Sequence, residues 1–197
     1  MTTFIHERMK IIFVHVPKTG GMSVTHFFSR GNSRMWRDDF SLLNAQIGIH
    51  DGVDKVYSLL GSEMRSYFSF AFYRNTWDWF FSLYRYIRRT KNHPLFSRVK
   101  NLTFEQFCFQ EAEAFYRPQK PLVTLDGKQA VTRLLDFSTF PTAFPDILNS
   151  LGYDSVLVEA KNRAENRADH RLQYSTEMRD HLAKVYADDI SYFGFDF

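Results

Sequence analysis

Lys18, Thr19, Gly20, Gly21, Met22 and Ser23 form the segment of this chain best suited to chemistry: a lysine and two glycines that follow the apolar run Ile11 to Val14. The run reads as a buried strand that Pro17 ends, and Gly20-Gly21 lets the backbone approach a ligand without a Cβ in the way. A helix beginning near Met22 or Ser23 then offers unsatisfied N–H groups and about half a positive charge of dipole, to which Lys18 adds a full one. The combination suits phosphate or sulfate. The lysine precedes the glycines here, whereas a Walker A loop places it after the last glycine, and no G-x-G-x-x-G string occurs.

A second segment points the same way. Tyr67 to Tyr73 is apolar and aromatic enough for another buried strand, with Arg74-Asn75 at its C-terminal edge before a helix from about Thr76 to Thr90. Ligands of open α/β sheets bind at that edge. Arg74 and Ser82, eight positions apart, can converge on one anion, the guanidinium fork matching phosphate oxygens. The alternative for Arg74 is an ion pair with a carboxylate such as Asp78.

The order Pro17-Lys18-Thr19-Gly20-Gly21-x-Ser23 resembles the 5′-phosphosulfate loop of sulfotransferases that use 3′-phosphoadenosine 5′-phosphosulfate (PAPS), and Phe13 to Gly21 looks like their carbohydrate-type branch. Met22 stands where that family usually has threonine, which removes a hydroxyl but keeps the amide. Arg74-Asn75-Thr76-Trp77-Asp78 with Ser82 resembles the family's 3′-phosphate element, with Thr76 in place of the usual proline and Trp79 in place of an arginine. Tyr186 to Ile190 with Phe193-Gly194-Phe195 looks like the usual end of the family and is read as packing. The resemblance implies a PAPS-dependent sulfotransferase that moves a sulfuryl group to an acceptor hydroxyl on a carbohydrate and releases adenosine 3′,5′-bisphosphate (PAP). It assigns cofactor binding to Lys18, Thr19, Gly20, Gly21, Met22, Ser23, Arg74 and Ser82, catalysis to Lys18 and His50, and no metal.

Sulfuryl transfer, by analogy with phosphoryl transfer, rests on positioning and electrostatics plus removal of a proton from the acceptor. Lys18 and the amides after it suit the leaving phosphate. His50 is the candidate base, since Gly48-Ile49-His50-Asp51 follows the first loop where related enzymes often carry a histidine, and histidine titrates near neutrality. Asp51 and Glu63 are the other candidates, and the bland reading of His50 is a helix-entry residue. His15 reads as a packing or loop-ordering residue. His26, His93, His170 and His181 read as solvated. A catalytically silent nucleotide- or glycan-binding module keeps the cradle without the base. A P-loop kinase fits less well, lacking the Walker A order and a clear magnesium-binding aspartate.

Composition agrees. The 197 residues are 44% hydrophobic and 17% aromatic, enough for one substantial core, and residues 1–197 read as a single sulfotransferase-like domain. A net charge of +3 suits an anionic cofactor and is too mild for nucleic acid. Cys108 is the only cysteine, which excludes an intramolecular disulfide and permits a cytoplasmic location; it reads as buried filler. Met1 to Lys10 is charged, so neither a signal peptide nor a membrane span is expected.

The elements that must position these residues alternate. Helices are expected over Ser23–Ser29, Asp51–Leu60, Thr103–Phe115 with a capping box, Phe140–Leu151, and Ser175–Tyr192 as one long amphipathic helix. Strands are expected over Pro121–Leu125, Ala130–Phe137 (or a helix there) and Ser155–Glu159, around an Asp126-Gly127 turn. The pattern predicts an α/β fold, a three-layer sandwich with a central mostly parallel sheet, to which the resemblance adds a P-loop-like phosphosulfate loop.

Overall fold

A computed structural model describes residues 3–30, 44–153 and 169–197. In chain order the elements are β1 (Phe4–His6), β2 (Ile11–Val14), α1 (Gly21–Arg30), α2 (Val53–Leu60), β3 (Phe68–Tyr73), α3 (Thr76–Arg89), α4 (Phe96–Val99), α5 (Phe104–Glu111), α6 (Lys120–Val123), β4 (Thr124–Leu125), β5 (Lys128–Gln129), β6 (Arg133–Asp136), α7 (Phe140–Ser150), α8 (Thr176–Val185) and α9 (Ala187–Phe193). They fall into two compact units, one over the described residues up to 73 and from 121 to 153, the other over 74–120 and 169–197.

The first unit is built on a mixed sheet of four strands in the order β1-β2-β3-β6, in which β2, β3 and β6 are parallel and β1 is antiparallel to β2. Every residue of β2 is buried, as a strand covered on both faces requires. Phe13, Phe70, Phe27, Phe144 and Ile147 form one apolar cluster that joins β2 and β3 to α1 and α7. Truncating a buried phenylalanine of this kind costs about 3–5 kcal/mol. At the edge, Asn44 closes the ladder of β1: its Nδ2 donates to the Ile5 carbonyl at 2.6 Å and its Oδ1 accepts from the Ile5 N–H at 2.8 Å. A paired edge offers no template to another chain.

Two local expectations need correction here. The stretch from Lys120 to Val123 is a helical turn, and only Thr124–Leu125 pairs, with Lys128–Gln129, as a small hairpin apart from the main sheet. Its turn residues Asp126 and Gly127 take φ values of 50° and 73°, the primed geometry that suits a tight hairpin. The expected Ala130–Phe137 strand shortens to β6 and joins the sheet beside β3. Ser155–Glu159 lies outside the described residues.

The second unit is helical, with Trp79, Phe80, Phe107, Leu182 and Tyr186 in its core. Asn75 caps α3 by accepting from the N–H groups of Trp77 and Asp78, and Thr103 with Gln106 forms the expected capping box on α5. The single helix expected over Ser175–Tyr192 is two helices that meet at Tyr186. Tyr186 is buried at 1% exposure, its backbone leaves helical geometry at φ −109° and ψ 27°, and its hydroxyl donates to the Phe115 carbonyl at 3.1 Å. That tertiary anchor overrides local helix propensity. Cys108 is buried, as expected.

Candidate functional site

The loop that leaves β2 is shaped by two residues in the left-handed region, Lys18 at φ 66° and Gly20 at φ 83°. Glycine adopts that conformation without penalty; a lysine there needs support from its surroundings. Thr19 supplies some of it, since its buried hydroxyl donates to the Val16 carbonyl at 2.7 Å and pins the loop to the strand end. Helix α1 starts at Gly21, earlier than expected, with the N–H groups of Ser23 and Val24 both donating to the Gly20 carbonyl at 2.8 and 3.2 Å. No acidic residue occupies the first turn. The helix start is therefore electropositive, with the Lys18 ammonium on the loop before it.

The glycines are required for a reason the sequence did not disclose. A Cβ on Gly20 would lie 2.8 Å from Cε2 of Phe140 and 3.0 Å from Cε2 of Phe137, and a Cβ on Gly21 would overlap the His15 ring. Close packing by these three side chains, together with the positive φ of Gly20, disfavours a Cβ at either position. The loop is clamped between His15 on one side and two phenylalanines on the other.

His15 also reaches the segment that carries His50. Its ring is 4% exposed, its Nδ1 faces the Ile49 carbonyl at 3.4 Å, and its centroid lies 5.3 Å from that of His50. A carbonyl only accepts, so Nδ1 carries the proton in the neutral ring. Burial lowers the His15 pKa to about 4, helped by the neighbouring His50 and, more weakly, by Lys18. A second tie comes from Thr3, buried at 1% exposure: its Oγ1 accepts from the His15 N–H at 2.9 Å and donates to the Asp51 carbonyl at 2.7 Å. Nothing about a threonine near the chain start signals this role. The loop, His15 and the exposed His50 are thus brought together at the C-terminal end of β2.

Both carboxylates considered as alternative bases are engaged. Asp51 Oδ2 accepts from the Gly48 N–H at 2.7 Å and closes the turn that presents His50. Glu63 pairs with Lys10 at 3.0 Å, at the N-terminal end of β2. Four residues of strand, about 13 Å, separate that end from the Lys18 loop.

In the second unit, Arg74 Nε donates to Asp78 Oδ2 at 2.7 Å and Nη2 to Oδ1 at 3.0 Å. The pair is largely buried, with side chains 11% and 12% exposed. Of the two arrangements open to Arg74 from the sequence, the ion pair with Asp78 is thus present. Ser82 is half-buried one turn beyond Asp78 on α3. His170 Nδ1 lies 3.8 Å from Asp78 Oδ1, and burial lowers its pKa. The Nε2 atoms of His170 and His181 are buried without a hydrogen-bond partner, so neither ring is solvated as expected.

Among the described residues, no helix is long and apolar enough to cross a membrane, and no cluster of three or more His, Cys, Asp or Glu is arranged to hold a metal ion. Comparison of the chain with protein-family models, curated proteins and solved structures finds no match.

Proposed function

We propose that this protein is a sulfotransferase that moves a sulfuryl group from PAPS to an acceptor hydroxyl, with a carbohydrate as the acceptor class. The supporting observation is the strand end of the first unit: a lysine in the left-handed region, a helix start free of acidic side chains, and an exposed histidine held beside them by His15 and Thr3. These groups fit a phosphosulfate, because every formal charge they carry is positive or neutral. The donor supplies an activated sulfuryl group. Lys18 and the amides at the start of α1 bind the 5′ end and stabilise charge that grows on the phosphate oxygen as its bond to sulfur breaks. His50 takes the acceptor proton as the acceptor oxygen bonds to sulfur, a role worth about 10²–10⁴-fold in rate. Arg74 and Ser82 take the 3′-phosphate in this reading, on the strength of their sequence pattern, with Asp78 orienting the guanidinium.

The test is transfer of radiolabelled sulfate from PAPS across a panel of glycans and phenols. Labelled product on a glycan, lost in Lys18→Ala, supports the proposal. Absence of transfer to every acceptor, together with retained PAP binding, would favour a silent binding module.

A further inference from the structure

Arg74 follows the last residue of β3 and precedes the cap of α3, so its backbone belongs to neither the sheet ladder nor the helix. Both of its main-chain groups still need partners. One side chain provides them: Gln119 Oε1 accepts from the Arg74 N–H at 2.9 Å, and Gln119 Nε2 donates to the Arg74 carbonyl at 2.7 Å. Only a carboxamide offers a donor and an acceptor in this spacing at the end of a flexible stem. Gln119 is 2% exposed and is itself held, since its N–H donates to Asp189 Oδ2 at 2.7 Å while the Lys120 N–H donates to Asp189 Oδ1 at 2.9 Å. Asp189 lies on α9 at 1% exposure. Burial pushes its carboxyl pKa up, and the two amides oppose that shift.

We propose that Gln119, anchored by Asp189, is a positioning residue for nucleotide binding: it fixes the Arg74 backbone while Asp78 fixes the guanidinium, so that the arginine is set in advance for the 3′-phosphate. This rests on the reading that Arg74 takes that phosphate. A cation held at both ends loses little freedom when an anion arrives, which is how a supporting shell sharpens a site. It also gives the closing segment of the chain, read from the sequence as packing, a share in ligand selectivity.

The experiment is calorimetric titration of the wild type, Gln119→Glu and Asp189→Asn with PAP and with adenosine 5′-phosphate, which lacks the 3′ group. The wild type is expected to bind PAP at least about tenfold more tightly. Gln119→Glu keeps the acceptor for the Arg74 N–H but loses the donor to its carbonyl and adds negative charge. It is expected to erase about tenfold of that preference while leaving adenosine 5′-phosphate within about twofold. Asp189→Asn should move the ratio in the same direction by less, and it carries the test if Gln119→Glu does not fold. Equal weakening of both nucleotides, or an unchanged ratio, would overturn the positioning role while leaving the Arg74 reading intact. A wild type that does not distinguish the two nucleotides would sink that reading and the proposal with it.

Discussion

A histidine buried at 4% exposure, with His50 and Lys18 nearby, stays neutral through the physiological range, and His15 acts as a spacer for that reason. Its folded pKa is depressed from 6.5 to about 4. The unfolded chain therefore takes up a proton between those values that the folded chain refuses, and stability falls as pH drops through that window, by about 3 kcal/mol in full. Melting temperatures from pH 7 to pH 4.5 should drop less steeply in His15→Asn, whose carboxamide keeps a donor for the Ile49 carbonyl. Parallel curves would contradict this role. His50 is different: exposed and held at a turn, it should be dispensable for folding and for PAP binding. His50→Ala is expected to retain the nucleotide and lose about 10²–10⁴-fold in turnover. Unchanged turnover would remove it from the mechanism.

At the scale of elements, what was legible in the sequence is what burial alone dictates. Strands β2 and β3 stand out because nearly every residue is apolar, α5 by its capping box, and α7 by its periodicity with Gly152 as the stop. The short β6 is ambiguous in sequence, as Arg133 and Asp136 flank only two leucines, and the sheet decides it. The break at Tyr186 is invisible locally because its anchor, the Phe115 carbonyl, is 71 residues away in sequence. The roles of Thr3 and Gln119 are hidden likewise, since both act through distant backbone groups. The glycines were legible as essential, but their packing against Phe137, Phe140 and His15 was not. Gly21→Ala drives a methyl group into His15 and should lower stability by about 1–3 kcal/mol in denaturant titrations. Gly61→Ala serves as the control: it meets open space at φ 54°, so only backbone strain of about 1–2 kcal/mol is expected, with PAP affinity unchanged. An unchanged stability in Gly21→Ala would contradict the packing account of the loop.

Across the whole molecule, the lone thiol offers a probe of integrity. Cys108 has no exposed surface, and burial raises its pKa to about 12. Iodoacetamide at pH 8 should leave the native protein unlabelled and modify one site after denaturation. Rapid native labelling would show that the helical core opens. The net charge of +3 suits an anionic ligand without selecting among them, so the donor assignment depends on the loop. The most direct measurement is the melting temperature of the wild type and Lys18→Ala with PAP and, separately, with ATP and magnesium. A ligand at a hundred times its Kd stabilises by about 2.7 kcal/mol, which at about 2–4 °C per kcal/mol is a rise of roughly 5–11 °C. The account predicts that rise for the wild type with PAP, its loss in Lys18→Ala, and none with ATP and magnesium; a shift with ATP and none with PAP would contradict it.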